Sequence, residues 1–173
     1  MKTTKKITLS AMMVALGTVL MRLGVYVEVL DLTVCALASL MVVFIYLEIG
    51  SYYPWLVWIC TALATALTGG GIVAAEYLLI FGIYPLLKSF VERLPKWSWI
   101  IVKLVFINAV IWLLFLISDI LFGQNFFGEE TPVMTAVVYV MMNVAFLAYD
   151  LFITIMVRFY YDRIRPRIKK LLK

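Results

Sequence analysis

Apolar residues gather in six runs separated by short polar punctuation, covering roughly 7–27, 33–49, 52–68, 71–91, 97–121 and 133–158. A helix needs about 20 apolar residues to cross a bilayer core, within a usual range of about 17–25. Each run is therefore read as one membrane-spanning helix. The third is short and leans on its aromatic start, Tyr52, Tyr53 and Trp55, or on a locally thinned bilayer. The connections are brief except for 122–132 (FGQNFFGEETP), which is long enough to fold over a helix mouth. The expected fold is an all-α integral membrane protein, a single six-helix transmembrane domain over 1–173 packed as a compact bundle, with a basic tail at 159–173.

The fourth run departs most from a plain lipid-facing helix. It carries Glu76 near its first end and a Gly82…Pro85 break farther along, and it closes on Lys88, Glu92, Arg93 and Lys96 before Trp97 and Trp99. A carboxylate inside a span is costly unless it faces the protein interior or a water-filled cavity. Glu76 is therefore either an interior functional group or a residue at the headgroup level. Pro85 lacks the N–H that would bond the Phe81 carbonyl, so it bends the helix and frees an acceptor. Membranes tolerate such breaks where neighbouring helices or a cavity satisfy the freed group.

Polar residues inside the last two runs follow one pattern. Asn108, Trp112, Phe115 and Asp119 stand at i, i+4, i+7 and i+11, and Tyr139, Asn143, Phe146 and Asp150 repeat those offsets, so each set shares a helix face. Two readings follow. The amides are interhelical glue, at roughly 0.6 kcal/mol per contact. Alternatively, Asn108, Trp112, Asp119, Tyr139 and Asn143 line an outward-opening pocket, with Glu76, Tyr77 and Tyr84 added from the fourth helix. Aromatic walls with a few fixed polar groups are the usual form of a small-molecule site, and Trp112, Tyr139 and Tyr77 suit a flat heterocyclic ring.

In the first helix Ala11 and Ala15 form an AxxxA that lets another helix approach closely. Thr18 and Arg22 continue that face outward, Arg22 as a residue snorkelling to the interface. Similar spacing at Cys35/Ser39 and Ala62/Ala66 is read as internal packing.

Composition agrees. Hydrophobic residues make up 65% of the 173 and charged residues 14%, with a mean hydropathy of +1.06, against about half and about a quarter in soluble domains. The basic N-terminus followed by an apolar run has no small-x-small cleavage site before Arg22, and reads as a retained first span. With the N-terminus in the cytoplasm, Lys2, Lys5, Lys6, Lys88, Arg93, Lys96, Lys103 and the tail cations all fall on the cytoplasmic side. Fourteen of the fifteen basic residues then agree, only Arg22 being outside, while Glu28, Asp31, Glu129 and Glu130 are external. That is an N-in/C-in, multi-pass protein of the cell membrane. The net charge of +5 thus reports topology, and the tail RFYYDRIRPRIKKLLK reads as lying on the anionic inner leaflet, not on nucleic acid.

Enzymatic signatures are missing. The absence of histidine removes imidazole bases, histidine metal ligands and Ser-His-Asp triads. Cys35 and Cys60 form no CxxC, and are read as packing residues. There is no GxxxxGK[ST] and no GxSxG, and Gly69–Gly71 reads as an outer turn. No enzyme activity, metal or cofactor is implied.

Size, six spans, topology and the Ala11-Met-Met-Val-Ala15 motif after a Lys-rich start together resemble the substrate-binding S component of energy-coupling factor (ECF) vitamin transporters. The resemblance implies that Ala11 and Ala15 dock on a transmembrane coupling protein driven by two cytoplasmic ATPase subunits. It also implies that a micronutrient binds on the extracellular side, mainly to helices four to six. The alternative is a non-transporting membrane scaffold, similar to the small rod-shape-determining protein of cell-wall elongasomes, in which the polar faces are glue and no small molecule binds.

Overall fold

The computed structural model describes residues 3–27, 30–92, 95–117 and 132–166. Among them every regular element is a helix and there is no strand. It falls into two compact units, Met1–Gly128 and Glu129–Lys173.

The first unit holds five helices: α1 (Thr3–Tyr26), α2 (Asp31–Glu48), α3 (Tyr53–Leu67), α4 (Gly71–Val91) and α5 (Lys96–Ile117). The second is built on α6 (Pro132–Phe159), which continues into a π-helical turn at Tyr160–Ile164. By length and composition, α1, α2, α4 and the stretch Val133–Ile164 can each cross a membrane, whereas α3 and the Trp97–Leu113 part of α5 are apolar but shorter. The 15 residues of α3 reach about 22 Å at the helical rise, against a hydrocarbon core of about 30 Å. The outer faces explain where such helices belong. Ile7, Met12, Leu16, Val19 and Leu23 on α1, and Val133, Val137, Val140, Val144 and Leu151 on α6, are all exposed. Apolar patches on that scale do not persist in water but match a lipid environment. This is a membrane protein of all-α architecture.

Contacts along the first unit define how its helices run. Lys6 lies over the Tyr53 ring (5.8 Å), the Cβ position of Gly17 lies 3.1 Å from Thr61 Cγ2, and Arg22 Nη1 donates to the Thr68 carbonyl. The numbering rises together, so α1 and α3 are parallel. Between α1 and α2 it runs oppositely: Gly17 meets Met41, Met21 meets Cys35 and Gly24 meets Asp31 and Val34. The α1 face that packs inward is Ser10, Gly17, Met21 and Gly24. Close helix approach inside the unit therefore runs through glycines, and Ala11 and Ala15 are both exposed.

The remaining small-residue pairs divide. Cys35 and Ser39 are fully buried, as the internal-packing reading expects. Ala62 is buried but Ala66 is exposed, which corrects that reading for α3; its inward face is Val57, Thr61, Ala62 and Thr65. The glycines at 69–71 do form a turn. Gly69 has φ +92°, its N–H donates to Ala66, and the N–H of Gly70 donates to Thr65. This is a Schellman cap, in which a left-handed residue lets the last carbonyls of a helix find donors. Arg22 supplies one more donor to that end, and its Nη2 lies 3.5 Å from the Tyr26 hydroxyl. Its role in the fold is thus to cap α3.

Candidate functional site

Helix α4 is broken one turn earlier than Pro85 requires. Residues Tyr77–Phe81 form a π-helical turn, with the Gly82 N–H donating to the Tyr77 carbonyl at 2.7 Å instead of to Leu78. The Leu78 carbonyl instead accepts from Trp58 Nε1 of α3 at 3.1 Å. Gly82 makes this approach possible: a Cβ there would stand 2.3 Å from Trp58 Cδ1. Pro85 then sits at the start of the next helical segment, Tyr84–Val91, where a missing N–H costs nothing. The expected break is therefore present, but its centre is an inserted residue and an indole ring. Single π turns of this kind recur at functional sites.

Glu76 and Tyr77 stand where the π turn begins, near the end of the unit where Gly24, Asp31 and the Schellman cap also lie. Glu76 is half-buried as a residue, but its Oε2 is enclosed and has no hydrogen-bond partner among the described residues. Tyr77 and Thr61 are completely buried and their hydroxyls interact with one another, neither having another partner among the described residues. Cys35 connects the two sides. Its Sγ lies 3.8 Å from Met21 Sδ and 3.8 Å from the Val73 carbonyl, and it is within electrostatic range of Glu76, Asp31 and Tyr77. Asp31, the first residue of α2, also acts on Glu76, and its Oδ1 lies 3.4 Å from the Cβ position of Gly24. The result is a polar cluster of two carboxylates, two hydroxyls and a thiol, assembled from α2, α3 and α4 and walled by the small face of α1.

Of the residues nominated from sequence, Glu76 and Tyr77 belong to this cluster. Tyr84 is buried two turns farther along α4, its ring centroid 5.9 Å from that of Phe106 on α5. Asn108 donates its amide to the Leu104 carbonyl (2.8 Å), and Trp112, one turn on, is 67% exposed. In the second unit Asn143 donates to the Tyr139 carbonyl (3.0 Å), Tyr139 is exposed, and the buried stripe is Phe146, Tyr149, Asp150 and Ile153. Asp119 and the segment 122–131 lie outside the described residues. Each amide thus bonds its own helix one turn back.

Asp31, Cys35 and Thr61 were not among the nominated residues. Asp31 and Cys35 are one turn apart on α2, a spacing that puts them on one face; that was the available signal. No group of three or more His, Cys, Asp or Glu residues among the described residues is arranged to hold a metal ion. Compared with known protein families, with curated proteins and with solved structures, the chain finds no match.

Proposed function

We propose that the chain is the substrate-capture membrane subunit of an ECF-type micronutrient importer. In this reading it takes up a small, aromatic or heterocyclic molecule from the extracellular side and docks on a transmembrane coupling protein with two ATPase subunits. The observation that carries the reading is the outward placement of Ala11 and Ala15. Small side chains on an exposed helix face leave room for a second helix to pack closely, and the helices of the chain's own first unit do not use them. Six spans with both termini cytoplasmic complete the reading, on the strength of the basic-residue distribution. The half-enclosed Glu76 beside a π turn supports ligand capture, since intramembrane carboxylates mark binding pathways.

The test is the double variant Ala11→Leu/Ala15→Leu. Both side chains point away from the unit's core, so the variant folds and keeps any bound small molecule. The added bulk holds a partner helix off and forfeits packing, so co-purification of a coupling protein and micronutrient uptake are lost. Unchanged co-purification refutes the docking role. A scaffold role, similar to that of the rod-shape-determining elongasome protein, is favoured by one observation: Tyr77 and Tyr84 are consumed in the interior, at 0% and 2% exposure, and Trp112 faces outward. Native mass spectrometry of the protein from its own membranes separates the two, because only the capture subunit carries a small molecule.

A further inference from the structure

We propose that the C-terminal end of α6 and the π-helical turn that follows it form a binding site for acidic phospholipid headgroups, built on Arg158, Tyr161, Arg163 and Arg165. This goes beyond substrate capture and docking, and it holds whether or not the chain has a coupling partner.

Depth in the bilayer comes first. From Pro132 to Val157 the helix carries a single charged side chain, Asp150, and Arg158 is its first cation. At the helical rise, Pro132 and Arg158 stand about 39 Å apart along the axis. A hydrocarbon core is about 30 Å thick, and about 40–45 Å with the headgroup regions. A helix that starts in one headgroup layer therefore delivers Arg158 into the other. Arg163 and Arg165 follow within about 10 Å, close to the distance over which surface charge is felt at physiological salt. The backbone does not fray there. The Arg165 N–H donates to the Tyr160 carbonyl, so these cations stand on a helical element.

The side chains then select the occupant. Arg158, Phe159, Tyr161, Arg163 and Ile164 are exposed, and the Arg165 guanidinium lies over the Tyr161 ring, 4.9 Å from its centroid. The stretch 158–173 has seven Lys and Arg against one acidic residue, Asp162, whereas Glu129 and Glu130 precede the other end of the helix. The C-terminal end is thus the one that attracts anions. Guanidinium groups match phosphate oxygens in charge and in fork geometry, and amphipathic aromatic rings settle at headgroup depth. A polyanion dissolved in water does not reach Arg158 among the headgroups, but a lipid phosphate is already there. Each cation close to an acidic bilayer surface is worth about fivefold in binding.

The experiment uses the full chain carrying Cys60→Ser and Ile164→Cys, labelled with bimane at position 164; Cys35 is buried and stays unlabelled. The protein is reconstituted in phosphatidylcholine vesicles. Phosphatidylglycerol or phosphatidylcholine bearing a shallow nitroxide on the acyl chain is then added at equal mole fractions, and quenching of the bimane is measured. Expected is half-quenching at an about fivefold lower fraction of the acidic lipid, a preference that shrinks as NaCl is raised. Arg158→Gln/Arg163→Gln changes two exposed positions and leaves the buried stripe intact; it lowers the preference by about fivefold, and Asp162→Asn raises it. Equal quenching by the two lipids at low salt overturns the proposal, and so does a preference unchanged in the double arginine variant. Displacement of the acidic lipid by an added oligonucleotide overturns it too, because the occupant is then a polyanion from water. The Ala11→Leu/Ala15→Leu variant keeps the lipid preference, so loss of docking is read separately.

Discussion

The contact between Gly82 and Trp58 offers a sharp test of how α4 is built. Gly82→Ala places a methyl carbon 2.3 Å from Trp58 Cδ1, 2.9 Å from Nε1 and 3.0 Å from Tyr77 Cε1. An indole is rigid, and retreat by the ångström or more that the methyl needs breaks its 3.1 Å bond to the Leu78 carbonyl. Two costs add. Overpacking is worth about 1–3 kcal/mol, and an orphaned carbonyl in the interior about 1–3 kcal/mol. Against them stands the helix preference of alanine over glycine, about 1 kcal/mol. The net expectation is a loss of about 1–5 kcal/mol. Cys35 provides the assay. It is fully buried, whereas Cys60 is exposed, so in a Cys60→Ser background maleimide labelling of Cys35 reports unfolding. The midpoint of labelling against temperature should fall clearly in Gly82→Ala. In a Trp58→Ala background the same substitution should cost far less, because only the 3.0 Å approach to Tyr77 Cε1 remains. A stabilising Gly82→Ala in the presence of Trp58 would refute the account.

Further outcomes follow from the same contacts. Arg22→Ala removes the side-chain donor from the Thr68 carbonyl and should destabilise by about 1–2 kcal/mol, a charge-assisted bond partly solvated; an unchanged labelling midpoint would show that the cap is idle. Gly69→Ala forces a side chain to φ +92° and should cost about 1–2 kcal/mol, the left-handed penalty for residues with a Cβ. Gly17→Leu drives a side chain into Thr61, 3.1 Å from the Cβ position; it should disrupt folding of the first unit, whereas Ala11→Leu leaves the midpoint within about 0.5 kcal/mol of wild type, as for an outward-facing site.

Much of the architecture was legible from local pattern. An apolar run of bilayer length must be helical because lipid offers no partner for backbone N–H and C=O groups, so the run boundaries and helix boundaries nearly coincide: 71–91 is Gly71–Val91 in space. The Gly82…Pro85 interruption and the turn at Gly69–Gly71 were legible for the same reason, since glycine and proline act on their own backbone. What the pattern could not set was the rotation of each helix about its axis. In lipid-facing helices nearly every face is apolar, so periodicity carries little information about which side turns inward. The α1 contact therefore fell to Gly17, Met21 and Gly24, with Ala11 and Ala15 left outside. The site depended on that rotation most of all. Glu76 could be nominated by itself as a charge inside a span, but its neighbours come from positions far away in the chain. Asp31 and Cys35 come near it, and Thr61 near its neighbour Tyr77, only because α2 and α3 present one particular face each. The π turn is tertiary in origin too: the Leu78 carbonyl can leave its helical donor because Trp58, 20 residues earlier, supplies another.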